Sequence, residues 1–351
     1  MASLRYLAYR AAFEALWLSH LPRLIRRYSA CKGVIFTLHR VLPEAPADFA
    51  PNAILQVTPA FLEAAIVRVR ALGMEIVSLD EAIVRIEEPR TRSPFAVFTF
   101  DDAYRDNLDH ALPILRKHQC PFTLYVPTAF ADGEGELWWQ ALEDIIAGHD
   151  ALALPGNGET EYVECATLEQ KNAAYDALYW RMRDMPEEVR VEFMSDLARR
   201  YGYDMKGQCR DLIMDWKQLE VFASDALCTI GAHTVHHYEL SKLTPAQAAN
   251  EMEQSRAILK TQLRKDPVHL SYPIGAPRSA GRREFDLARE IGFRTAVTTR
   301  PGGLYAEHAA HLTALPRISL NGHFQERRYL DVFATGALFT ALGRRGKVDL
   351  T

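Results

Sequence analysis

The chain has 351 residues, of which 48% are hydrophobic and 25% charged, and its formal net charge is −4. This composition is typical of a soluble globular protein and excludes collagen-like, coiled-coil and wholly disordered chains. The 41 basic and 45 acidic residues form no long block of like charge, so nucleic acid is not an expected partner. The length suits one large α/β domain with appendages or two ordinary domains.

The first 30 residues predict a separate N-terminal helical segment. Its apolar residues roughly follow helical spacing as far as Leu18, and Arg23, Arg26 and Arg27 come after them. We expect this helix either to pack on its own domain or to make peripheral contact with a membrane surface. Charged residues interrupt the apolar stretch, so we expect neither a secretory signal nor a transmembrane span, and a cytoplasmic location.

Five cysteines are widely spaced, and none stands in a C-x-x-C arrangement. This usage predicts neither a disulfide framework nor a thiolate zinc site, and it favours a reducing compartment.

Short β-rich runs alternate with helical patterns from residue 34 onward. The seven predicted strands are VIFTL (34–38), IVSL (76–79), AVFTFDD (96–102), FTLYVP (122–127), CTIGAH (228–233), VHLSYP (268–273) and TAVTT (295–299). Helices are predicted over 58–72 and 244–263 and through LDHALPILRKH and FDLAREIG. The alternation implies parallel pairing through βαβ crossovers, which favours a barrel or a doubly wound sheet.

A charged, helix-rich interval over 141–226 breaks this alternation. We interpret it as a helical insertion into a barrel domain that spans 31–320, followed by a helical tail over 321–351. The insertion is expected either to cover the carboxyl-terminal mouth of the barrel, where catalytic residues gather, or only to cap the core.

Two adjacent carboxylates, Asp101 and Asp102, end the apolar strand predicted at 96–102. Like charges this close in a buried setting are costly unless a cation or a proton compensates them. One carboxylate could bind a metal ion while its neighbour acts as a base. The alternative is that the pair caps the next helix.

Three histidines, His233, His236 and His237, lie at the end of the strand predicted at 228–233 and just after it. His233 and His237 stand four residues apart, so on a first helical turn both imidazoles would project from one face and could bind one metal ion. His233 and His236, three residues apart, are a second possible pair. Together with Asp102, two histidines give an open divalent metal site.

The motifs TFDD, H-T-x-x-H and Y-P-x-G occur in this order along the chain. Over about residues 34–318 the sequence resembles the polysaccharide deacetylases of the NodB-homology group, carbohydrate esterase family 4. The resemblance implies an α/β fold, a distorted (β/α)7 barrel of the NodB-homology type, here with a helical insertion. That expectation agrees with the independent count of seven strands.

The resemblance also implies roles for single residues. Asp101 would be the general base that activates the attacking water, and a divalent metal ion would be held by Asp102, His233 and His237. Zn²⁺ is the first choice of metal, with Co²⁺ or Ni²⁺ as alternatives. Thr234 would orient the histidine loop, and the backbone N–H of Tyr104 would help to hold the oxyanion.

The sequence departs from the family pattern at three places. LNGH, which ends at His323, is a poor match to the late histidine motif, so His39 is the better candidate for the general acid; alternatively, His39 merely ends its strand. Ser271 stands where many relatives have an arginine that pairs with the base aspartate. Arg317 could replace that arginine, or could form a surface or structural ion pair instead. Ala103 replaces the usual glycine after the Asp pair.

Four further residues are candidates to line a substrate groove. They are Tyr272 and Pro273 in the Y-P-x-G motif, and the adjacent indoles Trp138 and Trp139. An aromatic face stacks well on a sugar ring, so one of the two indoles could form a platform. The alternative for both indoles is a purely structural role.

These expectations amount to metal-dependent hydrolysis of an N-acetyl group from an amino sugar, with release of acetate. The implied substrate is an N-acetylglucosamine-containing oligosaccharide or glycoconjugate. Two alternatives remain at this point, a non-sugar amide or imide hydrolase on the same barrel and a carbohydrate-binding protein that has lost catalysis.

Overall fold

A computed structural model describes residues 4–88, 93–154, 161–343 and 346–351, and the side chains from residue 6 onward within them. Residues 1–3, the start of the segment expected at 1–30, lie outside the described residues. Within the described ranges one sheet contains eight strands: β1 (Gly33–Leu38), β2 (Glu75–Ile76), β3 (Phe95–Phe100), β4 (Phe122–Val126), β5 (Cys228–Ala232), β6 (His269–Ser271), β7 (Thr295–Val297) and β8 (Ile318–Ser319).

All pairings in this sheet are parallel, in the order β7-β6-β5-β4-β3-β1-β8, and β2 pairs with the start of β3. Leu315, just before β8, forms a parallel bridge with Val297 of β7, while Ile318 pairs with Phe36 of β1. The segment that carries β8 therefore joins the two ends of the strand order. The distorted (β/α) barrel that the family resemblance implies is confirmed, and it is the barrel of the two folds that the alternation of elements favours.

The described α-helices surround and extend this barrel. They are α1 (Leu4–Leu18), α2 (Leu21–Tyr28), α3 (Pro59–Ala71), α4 (Leu79–Glu87), α5 (Leu112–Lys117), α6 (Thr128–Ala131), α7 (Trp138–Ala147), α8 (Leu168–Asp184), α9 (Glu187–Arg200), α10 (Met205–Leu212), α11 (Trp216–Ala223), α12 (Pro245–Leu263), α13 (Arg282–Glu290), α14 (Leu330–Phe333) and α15 (Ala337–Gly343). In the part of the chain that the structure describes, no helix is long and apolar enough to cross a bilayer.

Every residue of β1 and β3 is buried. Parallel strands covered on both faces are expected to be near-continuous apolar runs, and GVIFTL and FAVFTF fit that expectation. The two strands contain two buried polar side chains, Thr37 and Thr99, and Thr99 donates its hydroxyl hydrogen bond to the Phe36 carbonyl of β1 at 2.8 Å. The apolar composition thus places both strands at the centre of the barrel, with their carboxyl ends at one edge.

The insertion predicted at 141–226 contains α8 to α11, most of α7, and a short antiparallel pair, Ala151–Ala153 with Tyr162–Glu164. It has its own apolar core, which includes Leu142, Leu178 and Leu197. Tyr104, which follows the Asp pair of the barrel, belongs to the same core. The insertion therefore packs over the carboxyl end of β3, at the edge where the predicted site lies.

Several elements differ from the sequence prediction, among them β8, which is an eighth strand beyond the seven predicted. The strand expected at 76–79 ends at Ile76, because the Ser78 side chain accepts the Glu81 N–H and caps α4 instead. The N-terminal segment forms two helices rather than one. His20 between them has a left-handed φ of 55°, and Pro22 lies in the first turn of α2.

Candidate metal and catalytic site

The predicted site residues come together at the carboxyl edge of the barrel. Asp101 and Asp102 follow β3, His39 follows β1, and His233 and His237 follow β5. In a parallel barrel the carboxyl ends of all strands meet at one edge. Residues far apart in sequence therefore become neighbours, and all five lie at the same edge.

Asp102, His233 and His237 form a compact three-ligand cluster. Their ligand atoms lie within 4.8 Å of one another, and Asp102 Oδ1 is 3.4 Å from Nε2 of each histidine. That buried oxygen has no hydrogen-bond partner among the described residues. A buried carboxylate oxygen without a partner is costly. One carboxylate and two imidazoles around such an oxygen fit a divalent cation.

The protonation of the two histidines bears on metal binding. His233 Nδ1 lies 2.7 Å from the Ser271 carbonyl. A carbonyl only accepts hydrogen bonds, so Nδ1 carries a proton and Nε2 faces Asp102. Burial lowers the pKa of His233, but the Asp102 carboxylate outweighs burial and raises that pKa, so a cation at this position would compete with a proton for Nε2. Burial lowers the pKa of His237 to about 3, so this imidazole is neutral at neutral pH. Neutral rings are the form that binds metal.

The histidines lie in an irregular loop, so the expected helical turn after β5 is wrong. Thr234 and His237 have left-handed φ values of 64° and 60°, which a helix does not permit. The His237 N–H donates to Thr234 Oγ1 at 3.1 Å, which supports the expected role of Thr234 as a loop organiser. The two imidazoles still meet, with ring centroids 4.8 Å apart.

Glu251 of α12 forms hydrogen bonds with this loop, and none of the sequence motifs includes this glutamate. Its Oε2 accepts the N–H groups of Val235 at 3.0 Å and His236 at 2.9 Å. Its Oε1 lies 2.6 Å from His236 Nδ1. The His236 side chain is 48% exposed and paired with Glu251, so the structure favours His233 and His237 over His233 and His236 as the ligand pair.

A sequence signal for Glu251 does exist in the helical pattern. The buried face of α12 includes Ala248, Glu251, Met252, Ser255 and Leu259, which follow i, i+3, i+4, i+7 spacing. A glutamate at an apolar-face position needs buried partners. Here those partners are the backbone N–H groups of the histidine loop.

We expect Glu251→Ala to weaken zinc binding and to lower the free energy of unfolding by about 1–3 kcal/mol, because two loop N–H groups lose their acceptor. The matched control is Glu253→Ala, an exposed position on the same helix. Zinc titration and urea unfolding of both variants check this prediction. Equal zinc affinity in the two variants would show that Glu251 does not position the ligands.

Asp101 is 2% exposed and forms a two-point ion pair with Arg317, which is itself buried. Arg317 Nη1 donates to Oδ1 at 2.8 Å and Nη2 to Oδ2 at 2.7 Å. Ser271 Oγ donates to the same Oδ2 at 3.2 Å. Burial raises the pKa of the Asp101 carboxyl, but the Arg317 guanidinium outweighs burial and holds that pKa well below its usual range. Asp101 is therefore ionised at neutral pH, and Arg317 makes the pairing that the sequence lacks at position 271.

The chain turns sharply after Asp101. Asp102 and Ala103 both adopt left-handed φ values, 71° and 58°, a region that favours glycine and accounts for the glycine that the resemblance expects at position 103. Tyr104 and Ile213 then form an antiparallel bridge. Its two hydrogen bonds are donated by Arg105 and Met214, so the Tyr104 N–H donates in neither of them.

Burial raises the pKa values of Asp101 and Asp102, but charged neighbours outweigh burial and lower both. Arg317 has the largest lowering effect on Asp101 and His233 on Asp102, and nearby His39 has a smaller effect on each. Its carbonyl accepts a hydrogen bond from Asn107 Nδ2 at 2.9 Å. No hydrogen bond to its ring occurs within the described part of the chain. The other histidine candidate, His323, lies against Tyr6 of α1, with ring centroids 4.1 Å apart.

The structure corrects the expected lining of the groove. Tyr272 is fully buried, and its hydroxyl donates to the Thr313 carbonyl at 2.9 Å; Pro273 is buried as well. Trp138 is 4% exposed and packs between Trp139 and Tyr179. Because these side chains are enclosed by the core, none of the three offers an open face to a sugar.

Trp139 is the indole that reaches the site. Its ring centroid lies 5.1 Å from that of His237, and its Nε1–H donates to the Tyr104 hydroxyl at 3.2 Å. Adjacent tryptophans on a helix point in different directions, and sequence spacing alone does not tell which of them faces the metal ligands.

The family model described as polysaccharide deacetylase matches residues 88–153 and 193–296. These ranges contain Asp101, Asp102, His233 and His237. The putative polysaccharide deacetylase YxkH of Bacillus subtilis is 31% identical over 91 residues, which are 24% of this chain and 32% of that protein. The match thus spans about a third of that relative's length.

Three solved structures share the fold. The Streptococcus pyogenes deacetylase PplD in complex with acetate has a TM-score of 0.54 at 17% identity, covering 82% of this chain and 92% of that one. IcaB from Ammonifex degensii has a TM-score of 0.51 at 17% identity, covering 86% and 97%. The putative polysaccharide deacetylase BA0330 from Bacillus anthracis has a TM-score of 0.54 at 14% identity, covering 86% and 69%.

The barrel topology, the metal-ligand cluster beside a second buried carboxylate, and the match of the family model across both motif regions agree with one another. The chain is similar to the polysaccharide deacetylase family over the two ranges that contain the site residues, and it shares the fold of the solved deacetylases.

Proposed function

We propose that the protein is a metal-dependent N-deacetylase that hydrolyses the N-acetyl group of an amino sugar and releases acetate. The observation that carries this proposal is the different environment of two adjacent carboxylates. Asp102 faces two imidazoles and has an unpartnered buried oxygen, whereas Asp101 faces a guanidinium. One environment suits a cation ligand and the other an ionised base.

Asp102, His233 and His237 would hold the divalent cation, for which Zn²⁺ is our first choice and Co²⁺ or Ni²⁺ are alternatives. Such a cation supplies Lewis acidity to a carbonyl oxygen and lowers the pKa of water. These three ligands leave coordination positions open for water and substrate.

Asp101 would accept the proton of the attacking water. Arg317 contacts both carboxylate oxygens and keeps the group ionised, so Asp101 needs no prior deprotonation to act as a base, and it becomes neutral when it accepts the proton. Tyr104 lies three residues after Asp101, and its N–H donates neither hydrogen bond of the bridge to Ile213. We assign it to the oxygen that gains negative charge during attack.

We assign the proton for the leaving amine to His39, at the end of β1. His39→Gln is expected to lower kcat by about 10²-fold with little effect on zinc affinity, because the ligand set is intact. His323→Gln is the matched control and should leave kcat unchanged, since that ring packs on α1. A kcat loss in the control but not in His39→Gln would reverse the assignment.

The proposed substrate is an N-acetylglucosamine-containing oligosaccharide or glycoconjugate. Support comes from the family and from PplD, whose structure is described with acetate, the product expected here. We also propose a reducing, cytoplasmic setting, because all five cysteines are free thiols.

The direct test is acetate release by zinc-loaded protein from N-acetylglucosamine oligomers, with a cyclic imide and a simple acetamide as comparison substrates. We expect acetate from the oligomers and much slower turnover of the comparison substrates. Hydrolysis of the imide alone would indicate a non-sugar amide hydrolase. Oligomer binding without turnover would indicate a binding protein.

A further inference from the structure

Helix α1 carries apolar residues on two faces. On one face Phe13 is buried and Leu16 and Trp17 pack against the main core. A second face of α1, which does not contact the core, is exposed and carries Leu7, Ala11, Ala15 and Leu18. Their spacing of four, four and three residues places them on one side of the helix. An ordinary surface helix would carry polar residues there.

Helix α2 continues this exposed apolar surface. Leu21, Leu24 and Tyr28 stand at i, i+3 and i+7 and are 41%, 55% and 74% exposed. Among the described residues, α1 and α2 contribute six of the fourteen large apolar side chains that are most exposed. The exposed Leu342 of α15, which packs beside α2, adds to the same region.

The same segment concentrates positive charge. Residues 1–30 contain five arginines and one glutamate, a net charge of +4 in a chain whose total is −4. Arg23 and Arg27 are exposed on α2 between the apolar positions, whereas Arg26 turns inward to the Asp331 carbonyl. Residues 31–351 therefore carry a net charge of −8, so the net positive and net negative parts of the chain are separate in sequence.

We propose that this docking face, formed by Leu7, Leu18, Leu21, Leu24 and Tyr28 with Arg23 and Arg27, binds the surface of an anionic lipid bilayer. Apolar side chains would enter the headgroup region while the arginines contact anionic headgroups, the usual division in interfacial helices. A second copy of the chain is a poorer occupant, because a symmetric dimer through this face would bring the two arginine pairs together.

The docking face also has a defined relation to the site. Arg10 of α1 donates to the His323 carbonyl at 2.9 Å, and His323 follows β8 at the carboxyl edge of the barrel. The amino-terminal half of α1 therefore reaches the edge that carries Asp101 and Asp102. The α2 part of the docking face lies towards the opposite edge, because α2 ends at Tyr28, shortly before the amino end of β1 at Gly33. The docking proposal itself does not depend on the proposed deacetylase activity.

The test is co-sedimentation of the full chain with vesicles of phosphatidylcholine alone or mixed with phosphatidylglycerol, at low and high salt. Two double variants probe the face, Leu21→Glu with Leu24→Glu, and Arg23→Glu with Arg27→Glu. The matched control is Val84→Glu with Val221→Glu, two exposed apolar positions elsewhere. Circular dichroism establishes that each variant is folded.

We expect the wild type and the control to bind the vesicles that contain phosphatidylglycerol and to bind phosphatidylcholine vesicles weakly. High salt should reduce binding to the anionic vesicles. Both docking-face variants should bind at least about tenfold less. No vesicle binding by the wild type, or equal binding by all variants, would overturn the proposal. So would a wild-type dimer that dissociates in the Leu21→Glu, Leu24→Glu variant, because it would assign the face to a second copy.

Discussion

Asp101→Asn is expected to reduce kcat by about 10²–10⁴-fold while zinc affinity stays close to that of the wild type. The amide has nearly the shape of the carboxylate but cannot accept the proton of the attacking water. The three metal ligands are unchanged. The measurement is the rate of acetate release with saturating zinc, together with calorimetric zinc titration of the same preparation.

Ser271→Ala is the matched control for Asp101→Asn. It removes one hydrogen bond to Asp101 Oδ2 but keeps both contacts from Arg317. Its kcat should fall far less than that of the Asn variant. If Asp101→Asn turns over at the wild-type rate, Asp101 is not the base.

Arg317→Met is expected to lower the free energy of unfolding by about 3–5 kcal/mol, because Asp101 would be left as a buried charge without its cation. Arg278→Met is the comparison, since Arg278 and Asp184 form an ion pair in which both side chains are largely exposed. Exposed pairs contribute about 0–1 kcal/mol. Urea unfolding of the two variants measures the difference, and a similar small loss in both would contradict the structural role of Arg317.

The stability difference between the wild type and Arg317→Met should depend on pH in a defined direction. The pKa of Asp101 is lowered in the folded state, so its contribution is fully present above the unfolded Asp pKa of about 3.9. This contribution is lost as the pH falls through the pKa that Asp101 has in the folded state. The two proteins should therefore differ most near neutral pH and converge below about pH 4.

The barrel was predictable because its strands are local signals. Apolar runs such as FAVFTF end at charged residues, and helical patterns separate them, so both element type and parallel pairing follow from the chain order. The short β2 shows the limit of this approach. In IVSL, Val77 is β-prone, but the next residue, Ser78, is a good helix cap, and the cap determines where the strand ends.

The grouping of Asp102, His233 and His237 was predictable from short motifs, but its geometry was not. The four-residue spacing of His233 and His237 is compatible with a helical turn and with the observed loop. Thr234 and His237 adopt left-handed backbone conformations that non-glycine residues seldom take. Contacts from Glu251, a distant residue, are needed to fix that loop.

Partners that lie far apart in sequence show why motifs left alternatives open, since the sequence offered Arg317 either as the partner of Asp101 or as part of a surface or structural ion pair. Arg317 is 216 residues from Asp101, and only the closure of the barrel brings them together. Burial is equally hard to predict for single aromatic residues. Trp138 and Trp139 are both buried, and the direction of α7 decides that Trp139 lies beside His237.

Calorimetric titration of Zn²⁺ into metal-stripped protein tests the central claim most directly. The wild type and His236→Ala should each bind one ion tightly, because His236 faces Glu251 rather than Asp102. Asp102→Ala and His237→Ala should both bind far more weakly. The absence of a tight site in the wild type, or zinc affinity that is lost in His236→Ala but kept in His237→Ala, would contradict the metal centre assigned here.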